Sequence, residues 1–314
     1  MMKWPKLSPE TQIARLALPE TRPVDMVLDT DTYNEVDDQF ALCLSLLSPD
    51  RVTLRAVYAA PFFNNRSSGP EDGMVRSYEE IVRLLGKVNV KPDGFVFEGS
   101  RSYLPDGQTP VDSPAARDLV QRAMARPEGD PLYVVAIGCI TNVASALLME
   151  PRLVEKIVVV WLAGHEFGWP DTREFNMSQD IPASQIILDS GVPLLLVPCA
   201  GVASHMTASV YELNACIGGK NALCDALCEL FAAYASDHYG WAKEIWDAAA
   251  VAALAHPEWT ETELTHSPVL SADSRYSFDN RRHFIRVVRC LNRTLIFRDM
   301  FTRLSSAEEI LAGR

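Results

Sequence analysis

The sequence VLDTDTYNEVDDQF, residues 27–40, contains an unusual concentration of acidic side chains. It places five carboxylates within ten residues, directly after an apolar run. Like charges this close repel one another, so the arrangement requires a positive charge, a shared proton or full exposure to water. We expect a bound cation, and oxygen ligands favour calcium or magnesium over zinc.

The residues on either side of this acidic stretch indicate a strand followed by a helix. Val24 to Leu28 form an apolar run that predicts a short buried strand, whereas Phe40, Leu44 and Leu47 recur at helical spacing. The acidic residues therefore belong to a strand-to-helix loop. In an open parallel sheet such loops lie at the carboxyl ends of the strands, where ligands bind.

A simpler interpretation of Asp37 and Asp38 is that they only cap the helix and interact with its dipole. This interpretation leaves Asp29 and Asp31 unexplained, because both precede the helix by several residues. The two explanations remain open for either residue of the Asp37–Asp38 pair alone.

Two other motifs also begin with Asp-x-Asp. A calcium loop of the EF-hand type starting at Asp29 would require Gly in place of Asn34 and Glu in place of Phe40, so it is excluded. A magnesium-dependent phosphatase of the haloacid dehalogenase type would use Asp29 as its nucleophile. That family prefers Thr or Val where Tyr33 stands, and we keep it as an alternative.

The composition is that of a soluble globular protein, with 314 residues, of which 48% are hydrophobic and 22% charged. The formal net charge of -12 argues against nucleic acid or an anionic membrane surface as a partner, since both require basic patches. The charge is compatible with a soluble enzyme.

The sequence also predicts a cytoplasmic location. Met1 to Pro23 contain scattered charged and proline residues rather than the apolar core of a signal peptide, and no apolar stretch is long enough to span a membrane. The seven cysteines are an odd number without a Cys-x-x-Cys pair, so we interpret them as reduced core residues.

Strand and helix patterns alternate along the chain, which is typical of a doubly wound α/β fold with an open, mostly parallel sheet. We expect one domain over residues 1–314, with its core at about 22–300. The predicted strands after the acidic loop are 52–60, 88–97, 132–138, 156–164, 192–198, 284–291 and 294–297. The predicted helices are 78–85, 113–125, 221–238 and 243–255, and residues 61–73 are predicted to form a loop.

Three further motifs carry polar groups at candidate ligand positions. The first is the strand end Ile137-Gly138 followed by Thr141-Asn142, which could equally be a strand end with Thr141 capping the next helix. The second is Glu174-Phe175-Asn176, with Asp180 after it as a helix cap. The third is Trp246-Asp247-Ala248, whose carboxylate could also be a cap or half of a salt bridge.

These motifs, in this order, resemble those of the nucleoside hydrolases over about residues 22 to 300. The family has Asp-x-Asp followed by Asp-Asp, a Gly-Pro-Leu-Thr-Asn segment, Glu-Phe-Asn and His-Asp-Ala. This chain departs from the pattern in two places. Five residues, 32–36, separate Asp31 from Asp37 where the family usually has three, so we expect the loop to bulge, and Trp246 replaces the family His.

The resemblance implies calcium-dependent hydrolysis of the N-glycosidic bond of ribonucleosides, in a homodimer or homotetramer. Calcium, held by Asp31, Asp38, the carbonyl of Ile137 and Asp247, would bind the ribose diol and the attacking water. The residue roles implied are as follows: Asp31 is the general base, Asp37 and Asn176 hold sugar hydroxyls, Glu174 holds the far hydroxyl, and Asp29 supports the site from behind.

Protonation of the leaving base requires a group that can give up a proton near neutral pH. Since Trp246 occupies the position of the family His, the candidates are His165, His205 and His238, and Trp246 could stack on the base instead. The missing His also leaves open a non-catalytic protein that binds a nucleoside or ribose.

Overall fold

The computed structural model describes residues 3–17 and 21–313 of the chain. The segment 1–23, for which the sequence predicts no signal peptide, lies partly outside the described residues, at positions 1–2 and 18–20. Within the described part, no helix is long and apolar enough to cross a membrane.

The strands are β1 (Val24–Thr30), β2 (Val52–Ala59), β3 (Val96–Glu98), β4 (Leu132–Ala136), β5 (Ile157–Leu162), β6 (Leu194–Val197), β7 (Thr207–Ala208), β8 (Lys243–Glu244), β9 (Thr260–His266), β10 (Val269–Leu270), β11 (Tyr276–Ser277) and β12 (Phe284–Leu291).

Eight of these strands form one sheet in the order β3-β2-β1-β4-β5-β6-β12-β9. Every neighbouring pair is parallel except β12 and β9, which are antiparallel. The predicted α/β fold with an open, mostly parallel sheet is confirmed. The antiparallel edge strand β9 was not predicted, because its sequence TETELTH alternates polar residues and has few apolar ones.

Helices cover both faces of the sheet. One apolar cluster packs helices α2, α3, α9, α10 and α11 against one face, and a second packs α4, α5 and α7 against the other. The helices are α1 (Pro9–Leu16), α2 (Asp38–Leu46), α3 (Pro70–Lys87), α4 (Pro114–Met124), α5 (Thr141–Met149), α6 (Phe175–Ser178), α7 (Ile181–Ser190), α8 (Val210–Cys216), α9 (Ala222–Ala232), α10 (Ala248–Ala255), α11 (Arg293–Ser305) and α12 (Ala307–Ala312). Short 3₁₀ helices lie at Pro151–Glu155, Ala203–His205 and Pro257–Trp259.

The strand order reverses between β1 and β4. From β1 the chain proceeds outward to β2 and β3, and from β4 it proceeds in the other direction to β5 and β6. In doubly wound sheets, ligands bind in the crevice beyond the carboxyl ends of the strands at such a reversal. Asp31 follows β1 directly and Ile137 follows β4 directly, so the topology brings both to this crevice.

Two predicted strands are wrong. Only the last two residues of the predicted strand 88–97 belong to a strand, β3, because Pro92 and Gly94 interrupt the run with a turn. The predicted strand 294–297 is the first turn of α11, where Asn292 caps the helix by accepting a hydrogen bond from the Leu295 amide at 3.1 Å. Short apolar runs cannot distinguish a strand from a buried helix.

Three helix boundaries also differ from the prediction. The helix predicted for 243–255 begins at Ala248, and its first two residues instead pair with β7 as β8. The helix predicted for 221–238 ends at Ala232, and α3 begins at Pro70, within the predicted loop 61–73. The N-cap Ser113 of α4 is confirmed, since its Oγ accepts a hydrogen bond from the Ala116 amide at 3.1 Å.

Candidate active site

A cavity of about 370 Å³ opens at the carboxyl ends of β1, β4 and β5. The residues predicted to bind the cation or the sugar line it, as do Trp246 and His165, whereas Asp29, His205 and His238 do not. Unpredicted lining residues come from the acidic loop, from the segment before α6 and from the end of β6. The lining residues are Asp31, Asn34, Glu35, Asp37, Asp38, Ile137, Leu162, His165, Arg173, Glu174, Phe175, Asn176, Cys199, Ala200, Trp246 and Asp247.

Three carboxylates from opposite ends of the chain converge in this cavity. Asp37, Asp38 and Asp247 each offer an oxygen atom, and these atoms lie within 4.8 Å of one another. All three residues are at most 3% exposed. This spacing is what a single small cation requires of its ligands.

The helices α2 and α10 position these carboxylates with their N-termini. Asp37 and Asp247 are the residues immediately before α2 and α10, yet neither side chain makes a capping hydrogen bond. The interpretation of Asp37 or of Asp247 as a capping side chain is therefore wrong, whereas the interaction with the helix dipole remains. Both carboxylates stay near a positive helix end while their oxygens remain available to a ligand.

Small residues allow α10 to approach the site closely. Seven of the eight residues in its sequence AAAVAALA are Ala or Val, and the whole helix is buried against α2 and the sheet. No long side chain separates it from α2, so Asp247 can reach the acidic loop. The sequence of α10 thus explains the convergence.

Asp31 lies at the end of β1 with an unusual environment. Asp31 is fully buried, and neither of its carboxylate oxygens has a hydrogen-bond partner among the described residues. Burial raises its pKa well above the ordinary value, and repulsion from Asp38 and Asp37 raises it further. Two unpartnered oxygens on a buried carboxylate are costly unless a ligand or a water molecule satisfies them.

A glycine two residues after β4 makes room for Asp31. A Cβ atom added to Gly138 would lie 3.0 Å from Cγ of Asp31 and 3.2 Å from Cβ of Ala60. Any larger residue would therefore displace the Asp31 side chain. This close approach explains the need for Gly after the carbonyl of Ile137.

Asp29 lies behind the cavity and does not line it. Its Oδ1 accepts a hydrogen bond from Nδ2 of Asn142 at 2.7 Å, and burial raises its pKa to about 7. Asn142 also donates to the carbonyl of Ala59 and accepts from the amide of Ser100 at 2.7 Å. One buried amide thereby joins three strand ends underneath the site.

Asn176 connects the carboxyl ends of β4 and β5. Its Nδ2 donates to the carbonyl of Ile137 at 3.1 Å and to that of Leu162 at 3.0 Å. Since both amide hydrogens are used, its Oδ1 is the atom left to accept a hydrogen bond from a ligand. The Ile137 carbonyl keeps one lone pair free, so it can still serve as a cation ligand.

Glu174 is held in place by backbone amides. It caps α6 by accepting hydrogen bonds from the amides of Asn176 and Met177, and it accepts a third from Gly164 at 2.9 Å. Burial raises its pKa, while these three hydrogen bonds oppose the rise. The orientation of its carboxylate in the cavity is thereby fixed.

One of the two interpretations of the Thr141-Asn142 motif, that Thr141 caps the next helix, is wrong. Thr141 does not cap α5, whose preceding residue makes no side-chain cap. Its hydroxyl instead donates to Asp180 at 2.6 Å. Asp180 caps α7, as predicted, by accepting from the amide of Ala183 at 3.0 Å.

Three aromatic side chains line the cavity among the described residues: Trp246, His165 and Phe175. Trp246 is partly buried against the core, and the ring of His165 lies 6.2 Å from that of Trp169. Burial lowers the pKa of His165, and its Nδ1 accepts a long hydrogen bond from the Ala200 amide. His205 and His238 instead contact the carbonyls of Leu291 and Ala232, away from the cavity.

Sequence reasoning missed four lining residues that carry chemistry. Glu35 pairs with Lys243, which lies beside the cavity, and Arg173 is an exposed cation at the rim. The buried thiol of Cys199 and the amide of Asn34, which accepts from Nδ2 of Asn64 at 2.6 Å, complete the set. Only Glu35 carried a signal, since it is one of the five clustered carboxylates of residues 29–38.

The donor set fits a hard divalent cation. The site offers carboxylate oxygens from Asp31, Asp37, Asp38 and Asp247, and both oxygens of Asp31 lack partners among the described residues. Burial followed by mutual repulsion raises the pKa of Asp247 well above its ordinary value. A cation would reverse that effect by favouring the ionised form.

The structure changes one assignment within this set. The tight group of three contains Asp37, which the sequence had assigned to a sugar hydroxyl, rather than Asp31. Asp31 lies next to Asp38 and interacts electrostatically with Asp247. Both Asp37 and Asp31 are therefore candidates for direct contact with the cation.

Fold and site together define an α/β protein with a buried carboxylate cluster where its parallel sheet reverses direction. The model of the inosine-uridine preferring nucleoside hydrolase family matches residues 70–295, and the chain belongs to this family. The acidic loop lies outside the matched residues, so its part in the site depends on the geometry described above.

The sequence relatives include pyrimidine-specific ribonucleoside hydrolases RihA. The one from Enterobacter sp. (strain 638) is 28% identical over 194 residues, which cover 54% of this chain and 58% of that protein. The one from Klebsiella pneumoniae (strain 342) is 26% identical over 238 residues, covering 68% and 72%. The alignment with the first thus spans less than two thirds of that relative.

Solved structures share the fold over nearly the whole chain. A plant nucleoside hydrolase, PpNRh1, superposes with a TM-score of 0.71 at 19% identity, covering 91% of this chain and 100% of its own. A purine-preferring ribonucleoside hydrolase from Gardnerella vaginalis has a TM-score of 0.67 at 22% identity, covering 91% and 99%. At these identities the likeness concerns the fold.

Proposed function

We propose that this protein hydrolyses the N-glycosidic bond of ribonucleosides to the free base and ribose, with calcium bound at the carboxylate cluster. The observation that carries the proposal is the convergence of Asp37, Asp38 and Asp247 beside the unpartnered carboxylate of Asp31. Family membership supports the class of reaction. The identity of the cation is inferred from the oxygen donors.

Asp31, Asp38, Asp247 and the carbonyl of Ile137 would hold the cation, and Asp37 is close enough to join them. When bound, a divalent cation supplies positive charge that lowers the pKa of water and stabilises developing negative charge. It also keeps the surrounding carboxylates ionised, as a general base must be.

Asp31 is the proposed general base. Its carboxylate accepts a proton from the attacking water as the water oxygen bonds to the anomeric carbon of the ribose. The C–N bond breaks at the same carbon, and its electron pair leaves with the base. The unpartnered oxygens of Asp31 leave it free for this transfer.

The sugar would be held by Asn176, Glu174 and Asp37. Oδ1 of Asn176 accepts a hydrogen bond from one ribose hydroxyl because both of its amide hydrogens are occupied. The carboxylate of Glu174, fixed by three backbone amides, accepts from the far hydroxyl. Rigid acceptors favour a sugar held in one orientation.

The base would lie between Trp246 and His165. The indole offers a flat apolar face for stacking, and His165 is the histidine that the described part of the chain contributes to the cavity lining. Its lowered pKa makes it mostly neutral near pH 7, so it would contact the base as a hydrogen-bonding group.

The position of Asp29 argues against the phosphatase alternative. Asp29, its required nucleophile, is fully buried, is hydrogen-bonded to Asn142 and does not line the cavity. A nucleophile in that position cannot reach a phosphate ester. The predicted single domain, the homodimer or homotetramer and the cytoplasmic location stay predictions.

The test is ribose release from a panel of purine and pyrimidine nucleosides. Protein freed of metal by a chelator should release little reducing sugar, and added calcium should restore the reaction. An aryl phosphate in the same buffer tests the phosphatase alternative. Tight nucleoside binding without ribose release would replace the proposal with a binding function.

A further inference from the structure

We infer that the ion pair between Glu35 and Lys243 is a latch that positions the acidic loop, residues 32–37, against the segment that precedes α10. The latch thereby sets the affinity of the carboxylate cluster for its cation. This inference deepens the proposed function and rests on its cation site. Glu35 and Lys243 are positioning residues, with no assigned contact to the reacting atoms.

The pair joins the two parts of the chain that supply the cluster. Glu35 is two residues before Asp37, and Lys243 is four residues before Asp247. Nζ of Lys243 donates a hydrogen bond to Oε2 of Glu35. The side chain of Lys243 is 11% exposed and that of Glu35 is 33% exposed, so the contact is largely shielded from water.

Strand pairing fixes the backbone at Lys243, which is one end of the ion pair. The short strand β8 pairs with β7, where Lys243 lies opposite Ala208, and the amide of Ile245 donates to the carbonyl of Met206 at 2.8 Å. The ammonium group also lies 5.5 Å from the centre of the Tyr234 ring. A buried lysine held this firmly provides a rigid anchor.

The loop on the other side has less regular support. Residues 32–37 form turns and bends between β1 and α2, and the amide of Asn34 donates to the carbonyl of Asp31 at 2.7 Å. An ion pair at Glu35 therefore fixes the part of the loop nearest to Asp37. Fixing a ligand-bearing loop before the cation binds removes part of the entropic cost of binding.

The length of the loop explains why such a latch is useful. Five residues separate Asp31 from Asp37, and Glu35 is one of them. A longer loop has more conformations to lose when its carboxylates are brought together. An additional contact inside the loop offsets that loss.

The latch can be distinguished from a simple effect of charge. Glu35→Gln removes a negative charge near the cluster and Lys243→Met removes a positive one, so electrostatics alone would change the cation affinity in opposite directions. If the pair positions the loop, both substitutions weaken binding. In either variant the loop loses its contact with β8, so Asp37 is no longer held beside Asp38 and Asp247 before the cation binds.

The experiment is a calorimetric titration of calcium into chelator-treated protein. We expect each single variant to lower the calcium affinity about tenfold, as the loss of outer supports of a metal site does. The charge-exchanged double variant, Glu35→Lys with Lys243→Glu, should bring the affinity back to within about threefold of the wild type. Circular dichroism establishes that each variant is folded.

Asp50→Asn is the matched control. Asp50 and Arg303 form another ion pair between distant parts of the chain, with side chains 55% and 13% exposed. Its loss should leave calcium affinity unchanged, because neither residue lines the cavity. If Lys243→Met fails to fold, Glu35→Gln still tests the latch, since the Glu35 side chain is partly exposed.

Opposite changes in the two single variants, unchanged affinity in both, or no recovery in the double variant would overturn the latch. Failure of the proposed function would look different. In that case the wild-type protein would bind calcium without releasing ribose, or would bind none, whatever the two variants do.

Discussion

The carboxylates of Asp38 and Asp247 lie within 4.8 Å of each other, although one residue follows the first strand of the sheet and the other precedes α10. Two buried carboxylates repel each other, so the surrounding structure has to hold them at this distance. The helices α2 and α10, packed together through small side chains, bring them there. This pair is the structural basis of the account of the site.

Asp31→Ala should lower kcat for a ribonucleoside by at least about a hundredfold, a loss of about 3 kcal/mol in transition-state stabilisation. The reason is that the variant lacks the carboxylate proposed to accept the proton from water. Ribose release at saturating substrate measures the effect.

Asp25→Asn is the control for that variant. Asp25 lies on the same strand, but its carboxylate pairs with Arg55 and Arg126 far from the cavity. Its kcat should match the wild type. Near-normal turnover in Asp31→Ala would remove Asp31 from the mechanism.

Gly138→Ala should reduce both calcium affinity and turnover about tenfold or more, although it adds only a methyl group. The new Cβ would lie 3.0 Å from Cγ of Asp31, so the carboxylate has to move. Calorimetry and ribose release measure the two effects. Gly107→Ala, where nothing lies within 4 Å of the added atom, should behave as the wild type.

Asn142→Ala should destabilise the fold by about 2 to 4 kcal/mol, because it leaves buried Asp29 and two backbone groups without their partner. Urea unfolding followed by circular dichroism gives the free energy. The exposed Asn65→Ala should change it by less than about 0.5 kcal/mol. Equal stability of the two variants would contradict the assigned role of Asn142.

His283 should make stability depend on pH below neutrality. Burial lowers its pKa in the folded state from 6.5 to about 4, and its Nε2 has no partner among the described residues. As the pH falls from 6.5 towards 4, the unfolded chain takes up a proton that the folded protein does not. Stability is therefore lost over this range, by about 3 kcal/mol in all.

His283→Gln tests this linkage by removing the titrating group. Its free energy of unfolding should change less between pH 7 and pH 4 than that of the wild type, by about 3 kcal/mol. His238→Gln controls for the loss of an imidazole elsewhere. Identical pH profiles for the wild type and His283→Gln would contradict the prediction.

Local sequence patterns were sufficient to predict the strand, loop and helix that surround the site. The apolar run of β1, the acidic loop and the helix after it are contiguous in sequence, so periodicity and charge spacing predicted them. The motif at Glu174 was also recognisable, and the structure adds that its carboxylate is the cap of α6.

Contacts between distant residues were not predictable in the same way. No local pattern indicates that Lys243 pairs with Glu35, that β12 lies beside β6, or that Asp37 rather than Asp31 belongs to the tightest carboxylate group. Each depends on how the helices pack on the sheet. The helical state of residues 294–297 had a local signal, the Asn292 cap, which the short apolar run obscured.

The most direct measurement of the central claim is a crystal structure of the protein with calcium and ribose, analysed by the anomalous scattering of the ion. We predict one calcium peak at about 2.3 to 2.6 Å from oxygens of Asp38 and Asp247, with Asp31 and the carbonyl of Ile137 around it and the sugar hydroxyls in reach. A peak elsewhere, or ribose bound with no ion between Asp38 and Asp247, would contradict it.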